Sequence, residues 1–329
     1  MMMNRIKGQG TRLKPCNLYL SPERSGRSLS CGNRTAHPLR VCTSKGFTLV
    51  EMIMVIVITG IIGGMVAVFL KAPIQQYMDV SRRADMTDIA DTALRRIGRD
   101  LRLALPNSVR VDPSGHYIEF LPTTGGGRYR AAAAPSGVSA GCVSLAGDVL
   151  DFTAADTCFE VLGAMPVPAV NVGDQIVVYN LGIPGASAYT GNASATDNRR
   201  TVSVVGTHTL SITSAFSLPF DSPSHRFQVI TTPVSYVCDG AGTLWRYWGY
   251  AIQDVQTKTD SIAELDALVS PATATRGKAQ LATNVSSCNF SYNANVVAQR
   301  SGLVTMNLGI TESGETVTLY SATHVSNMP

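Results

Sequence analysis

Lys45-Gly46-Phe47-Thr48-Leu49-Val50-Glu51, followed by an apolar run that ends at Leu70, is the stretch that decides how the rest of the chain is read. Residues 47–70 carry one ionisable side chain, Glu51. As a helix rising about 1.5 Å per residue they reach roughly 36 Å, enough to cross a hydrocarbon core of about 30 Å. A soluble core helix is seldom apolar on every face for that length. The β-branched run at residues 53–59 is a weak helix former in water, but lipid forces backbone groups to bond internally. Gly60, Gly63 and Gly64 are residues small enough to let membrane helices approach, or simply tolerated glycines. Glu51 is the anomaly, because an acid inside a membrane helix costs about 2.5–3.5 kcal/mol and calls for a partner or water. A cut before Phe47 would create the nearest cation, a new α-amino group with a reference pKa of about 7.7–8.0.

Working outward, residues 1–46 are rich in Arg, Ser, Gly and Pro and show no apolar periodicity. They read as an unstructured leader that is removed. A secretory signal would be cut after its apolar core; a cut before Phe47 would instead leave the anchor in place. The formal net charge of the whole chain is +4, yet residues 1–45 hold nine Lys or Arg and only Glu23 as an acid. The remainder has 18 basic and 22 acidic residues, a net of −4. The basic charge is not on a folded face, which argues against nucleic-acid binding. A basic flank before the span points to a cytoplasmic leader and a translocated body.

Gly46-Phe47-Thr48-Leu49-Val50-Glu51 with its apolar segment resembles the processing site of type IV prepilins and type II secretion pseudopilins. That resemblance implies a prepilin peptidase that cuts between Gly46 and Phe47 and N-methylates Phe47. It also implies that Glu51 pairs with the terminal amine of a neighbouring subunit during assembly. Implied partners are the peptidase, other major and minor pilins, and an inner-membrane assembly platform.

Beyond Lys71, Pro73 should kink or thin the helix. From there to residue 105 the pattern turns amphipathic. Met86, Ile89 with Ala90, Ala93, Ile97, Leu101 and Leu105 form one stripe, and Asp88, Asp91, Arg95, Arg99 and Arg102 lie opposite. Asp79 with Arg83 and Asp91 with Arg95 are spaced as i,i+4 pairs, acid first. Pro106-Asn107 ends the helix. From residue 108 the period changes to two. Strands are expected at 109–111, 116–120, 148–152, 175–179, 201–205, 209–212, 226–230, 234–238, 244–250, 288–292, 303–310 and 316–319. Turns are expected at 112–115, at Gly125-Gly126-Gly127, at 180–191 and at the hairpin tip Glu312-Ser313-Gly314-Glu315. Residues 260–268 suggest a short helix, and 131–141 an exposed loop. The expected fold is α+β: a long N-terminal helix, membrane-spanning over 47–70 and amphipathic over 71–105, on an antiparallel β-rich head over 106–329. That layout is type IV pilin-like. The strand pair 234–238 and 244–247 is similar to the hairpin of large minor pilins and of J-type secretion pseudopilins. Residues 94–102, 105–110, 302–308, 314–315 and 324–329 are similar to a protein of the mannose-sensitive haemagglutinin (MSHA) pilus system.

Cys16, Cys31 and Cys42 lie in the leader, and Cys142, Cys158, Cys238 and Cys288 in the body. An even number in an exported body suggests disulfides, and four cysteines allow three pairings. Cys142–Cys158 with Cys238–Cys288 is preferred, because sequence neighbours usually share a local substructure.

Signals for chemistry are weak. Gly137-Val138-Ser139-Ala140-Gly141 fits the G-x-S-x-G pattern but lacks the strand-to-helix context of a nucleophile elbow. His116, His208, His225 and His324 form no metal-binding spacing, and the body cysteines no C-x-x-C pair. Asp148, Asp151, Asp156 and Glu160 are candidate Ca²⁺ ligands without an EF-hand pattern, so solvated acids are the simpler account. Gly125-Gly126-Gly127-Arg128 lacks the Lys-Ser/Thr of a phosphate loop. Trp245 and Tyr247 should face one side of a strand, and Trp248 and Tyr250 the other. That offers either a sugar-stacking surface or core packing. The expectation is a protein without catalytic residues, metal or cofactor: a minor pilin-like subunit, single-pass in a bacterial inner membrane with a periplasmic head, that serves pilus assembly. A J-type pseudopilin and a pilus-tip adhesin are the alternatives.

Overall fold

The structure, a computed structural model, describes residues 46–132, 142, 149–191, 197–213, 216–294 and 301–329. It divides into two units between residues 64 and 65. Helix α1 covers Leu49–Leu101 and is continuous through Pro73. A proline forfeits one backbone bond, and a helix of 53 residues absorbs that loss. The end comes at Leu101, before the Pro106 signal. The Leu105 amide bonds to the Leu121 carbonyl at 2.7 Å, so the chain has already left the helix for sheet pairing.

In the second unit α1 buries Met86, Ala90, Ala93, Leu94, Ile97, Gly98 and Leu101. Ile89, placed in the stripe by spacing, is exposed, and Leu94 takes the buried place instead. This face meets a five-stranded antiparallel sheet that begins with β1 (Arg110–Val111) and β2 (Tyr117–Phe120).

The chain then leaves that sheet to build a closed six-stranded barrel. Its strands are β3 (Thr123–Tyr129), β4 (Cys158–Leu162), β5 (Gln175–Val178), β6 (Arg199–Val205), β7 (Thr209–Ile212) and β8 (Arg226–Ile230). The barrel has its own core, with Tyr129, Phe159, Ile176, Leu210 and Phe227 at its centre. Gly125-Gly126-Gly127 is not a hairpin tip but the middle of β3. A Cβ on Gly126 would stand 2.7 Å from the Phe227 carbonyl oxygen, and one on Gly127 2.8 Å from the Phe227 ring. The glycines clear room for that ring. Residues 149–152, expected as strand, are irregular, because the Asp151 amide bonds to the Asp156 carboxylate in a local turn. Strand β4 was not anticipated.

After the barrel the chain returns to the first sheet through β9 (Val234–Cys238) and β10 (Leu244–Trp248), continues into helix α2 (Ile262–Val269), and closes the sheet with β11 (Gly277–Ala282). The order is β1-β2-β9-β10-β11, so β2 pairs directly with β9 across the excursion. All five residues of β9 are buried, because α1 covers one face of the sheet and α2 the other. Ser261 caps α2 by accepting the Glu264 amide proton at 3.3 Å. The carboxylate Asp100 Oδ2 on α1 accepts from the Tyr236 hydroxyl at 2.7 Å and from Arg246 Nε at 3.0 Å, which fixes the helix on the sheet. Tyr250 faces α2 together with Trp245 and Tyr247, not with Trp248. Strand β10 stops at Trp248, and Gly249, at φ +81°, breaks the alternation.

The last sheet is β12 (Val285–Asn293), β13 (Ser301–Glu312) and β14 (Glu315–Ser326). Its tip ties back to α1. Arg83 Nε and Nη2 donate to the two Glu315 carboxylate oxygens at 2.9 and 3.1 Å, while Asp79 pairs with Arg82 rather than Arg83. Asp91 and Arg95 form their pair at 2.7 Å. A Cβ on Gly98 would lie 2.9 Å from the buried Thr323 hydroxyl, so α1 and β14 touch backbone to side chain. Gly98→Leu is expected to destabilise the head by about 1–3 kcal/mol, read from denaturant midpoints. Pairing it with Thr323→Ala should recover part of that loss in a double-mutant cycle; no recovery would mean the contact is not the cause.

Disulfides join Cys142 to Cys158 and Cys238 to Cys288, with Cα atoms 5.8 and 6.2 Å apart. The first attaches the segment before β4 to the barrel; the second ties β9 of the five-stranded sheet to β12 of the three-stranded one.

Burial holds the hydroxyl protons of Tyr129, Tyr189, Tyr236, Tyr247 and Tyr250 well above the ordinary tyrosine range. Neighbouring carboxylates add to this: Asp221 at Tyr129, Asp100 at Tyr236 and Asp266 at Tyr247. A folded-state pKa above the unfolded value means this stabilisation is complete below about pH 10 and is lost as pH rises past it. Thermal midpoints are therefore expected to fall steeply above about pH 10. A flat profile to pH 12 would contradict the burial of these phenols.

Candidate processing and assembly site

Residues 46–48 precede the first helical residue, Leu49. Gly46 is exposed, and a Cβ built on it would meet nothing within 4 Å. Phe47 is 76% exposed. Thr48 is the cap: its Oγ1 accepts the Glu51 amide proton at 3.2 Å, and its carbonyl accepts the Met52 amide at 3.2 Å. Glu51 thus stands in the first turn, where unpaired amides and the helix dipole favour a negative charge. Thr48-Leu49-Val50-Glu51 has the S/T-x-x-E capping-box spacing, a signal present in the sequence. Of that box the Thr48 half is formed, and the exposed Glu51 carboxylate contributes through the helix dipole.

The turns that follow are apolar on all sides. Every large hydrophobic side chain from Leu49 to Leu70 is exposed, and the helix is long and apolar enough here to cross a membrane. Thr59 satisfies its hydroxyl internally by donating to the Val55 carbonyl at 2.6 Å, as a side chain in lipid must. Gly60, Gly63 and Gly64 each have open space where a side chain would be. The surface offered is an unpartnered greasy rod with a capped, acidic start.

The other sequence candidates do not assemble into a site. Ser139 and Asp148 lie outside the described residues. Asp151 accepts from Thr153, Asp156 from the Asp151 and Cys158 amides, and Glu160 pairs with Arg130. These acids are committed to local turns and one ion pair. His225 faces Asp221 at 3.4 Å on the barrel, apart from His116 and His324 on the other sheets. Among the described residues no three His, Cys, Asp or Glu side chains converge as a metal site would need.

An apolar helix at the amino end followed by antiparallel sheets defines an α+β protein with the features of a single-pass membrane anchor. Residues 42–67 match the family described as the prokaryotic N-terminal methylation motif, which makes the chain type IV pilin-like at this end. The motif implies processing by a prepilin peptidase and assembly with other pilins. No curated protein and no solved structure matches the chain.

Proposed function

We propose that this chain is a minor pilin-like subunit that primes or caps a type IV filament of the MSHA type. A prepilin peptidase cuts it between Gly46 and Phe47 and N-methylates Phe47. The span over 47–70 holds it in the inner membrane, the amphipathic part over 71–105 continues it, and the β-rich head over 106–329 lies in the periplasm. It performs no chemistry of its own. During assembly α1 packs among the helices of other pilins at the assembly platform, and Glu51 pairs with a neighbour's methylated amine. An acid and an ammonium shielded from water attract strongly, and either one left alone is costly.

The observation that carries this reading is the methylation motif at residues 42–67 falling where the exposed apolar helix begins. Residues 94–102, 105–110, 302–308, 314–315 and 324–329, similar to the MSHA biogenesis protein MshO, favour that filament. The β9–β10 hairpin supports a second reading, the J-type minor pseudopilin of a type II secretion system. The genes adjacent to this one discriminate the two.

The test separates the charge of Glu51 from the Thr48 helix cap. Glu51→Gln removes the charge and keeps the backbone amide that Thr48 caps. Thr48→Val removes the hydroxyl cap, at about 1 kcal/mol, and keeps the charge. The expected result is that Glu51→Gln inserts in the membrane normally yet lowers filament number more than tenfold by electron microscopy. Thr48→Val should leave filaments largely intact. Wild-type filament numbers with Glu51→Gln would refute the pairing role.

A further inference from the structure

A cavity of 640 Å³ opens between the barrel and the five-stranded sheet. That is within the range of about 300–1,000 Å³ that small-ligand sites occupy. Asp174 and Gln175, at the start of β5, and Arg199, at the start of β6, form its barrel wall; Trp248, at the end of β10, and Ala274 stand across from them.

Two features mark it as more than a gap. First, Arg199 is only 7% exposed, and its guanidinium donates to the neutral oxygens Gln175 Oε1 at 2.6 Å and Thr190 O at 2.7 Å. Its Nε is buried and has no hydrogen-bond partner among the described residues. That nitrogen is closed off from the cavity, so a guest meets Arg199 as a charged wall whose hydrogen bonds go to neutral oxygens. Second, the half-buried Trp248 borders the same space, with the Arg246 guanidinium 5.4 Å from its ring centre. Gly249 keeps the backbone close: a Cβ there would sit 2.2 Å from the Thr275 carbonyl oxygen, so no side chain fills that end.

The charges select the guest. A cation is opposed by Arg199 and an anion by Asp174. Asp174 Oδ2 already accepts the Asn171 amide at 2.8 Å, which leaves its other oxygen free to accept. A hydroxyl both donates and accepts, so a ring bearing several hydroxyls serves carboxylate and guanidinium together. The apolar C–H face of such a ring suits an indole. We propose that this cavity binds a neutral saccharide of one or two rings. The site belongs to the head and is independent of which filament or secretion machine the chain serves.

The test uses the full chain purified from membranes in a non-glycosidic detergent. It is applied to an array of neutral mono- to tetrasaccharides printed beside uronic-acid and phosphorylated sugars, and hits are titrated by calorimetry. Neutral sugars should be captured. Asp174→Asn should weaken capture about tenfold or more, because a charge-assisted hydrogen bond becomes a neutral one. Ala274→Trp adds an indole to the mouth of the cavity without removing a hydrogen bond, and should abolish capture at an unchanged melting temperature. If Asp174→Asn fails to fold, Ala274→Trp decides alone. Failure to capture any sugar, preference for the acidic probes, or capture that Ala274→Trp leaves unchanged would each overturn the proposal.

Discussion

A Gly46→Lys chain is expected to accumulate uncut, with the first 46 residues still attached and no N-methyl-Phe47 in its mass spectrum. The physical case is that the substitution costs the fold nothing. Gly46 is exposed and a side chain there meets nothing within 4 Å. The helix begins three residues later under its own cap, Thr48. A defect in maturation would therefore lie in recognition by the peptidase, not in unfolding. Gly63→Ala is the matched control, since it too meets open space and sits inside the span. It should be processed at the wild-type rate. Normal maturation of Gly46→Lys would remove the processing site from residue 46, and with it the free amine on which the role of Glu51 depends.

Replacing Cys238 and Cys288 together by alanine should cost about 4 kcal/mol by the loop-closure estimate for the 50-residue separation they span. That is a large share of the roughly 5–15 kcal/mol by which domains are stable. For a head of this size it corresponds to a fall of about 8–16 °C in melting temperature. The bridge also fastens two sheets that share the α1 face as one core, so its loss should loosen β12–β14 first. Hydrogen exchange would show this as faster exchange in β13 with β9 still protected. The Cys142–Cys158 bridge closes a shorter loop of 16 residues, and its removal should cost nearer 3 kcal/mol. Equal losses from the two pairs would show that loop closure does not govern their contribution.

The parts of this protein that rest on local patterns could be read before the structure. The apolar span announces itself by length. The stripe on α1 follows from steps of three and four, apart from Ile89, which the burial of Leu94 displaces. The β13–β14 hairpin follows from Ser313-Gly314, where Ser313 has φ 52° and Gly314 φ 83°. What could not be read depends on distant partners. Gly125-Gly126-Gly127 signals a turn in isolation; only the Phe227 ring, a hundred residues on, makes it strand. Strand β11, Gly-Lys-Ala-Gln-Leu-Ala, has little intrinsic strand preference and is held at the sheet edge by its pairing with β10. Arg83 has Asp79 at helical spacing, but the hairpin tip supplies Glu315 with two well-placed oxygens. At the amino end the Thr48 cap was legible in its spacing. The cavity was not, because Arg199 and Trp248 meet only through tertiary packing.

The direct pairing of Phe120 with Val234 has a consequence for how this molecule can change over time. Everything from residue 123 to 230 leaves and re-enters the sheet at neighbouring positions, and between them it braces the stem through Asn180 and Tyr189, whose side chains donate to the Pro106 and Ser108 carbonyls. Such a port lets one cassette be traded for another that keeps this brace, while the anchor and its docking surface are inherited unaltered. Lineages carrying this stem should therefore differ most in that cassette, and with it in whatever it touches.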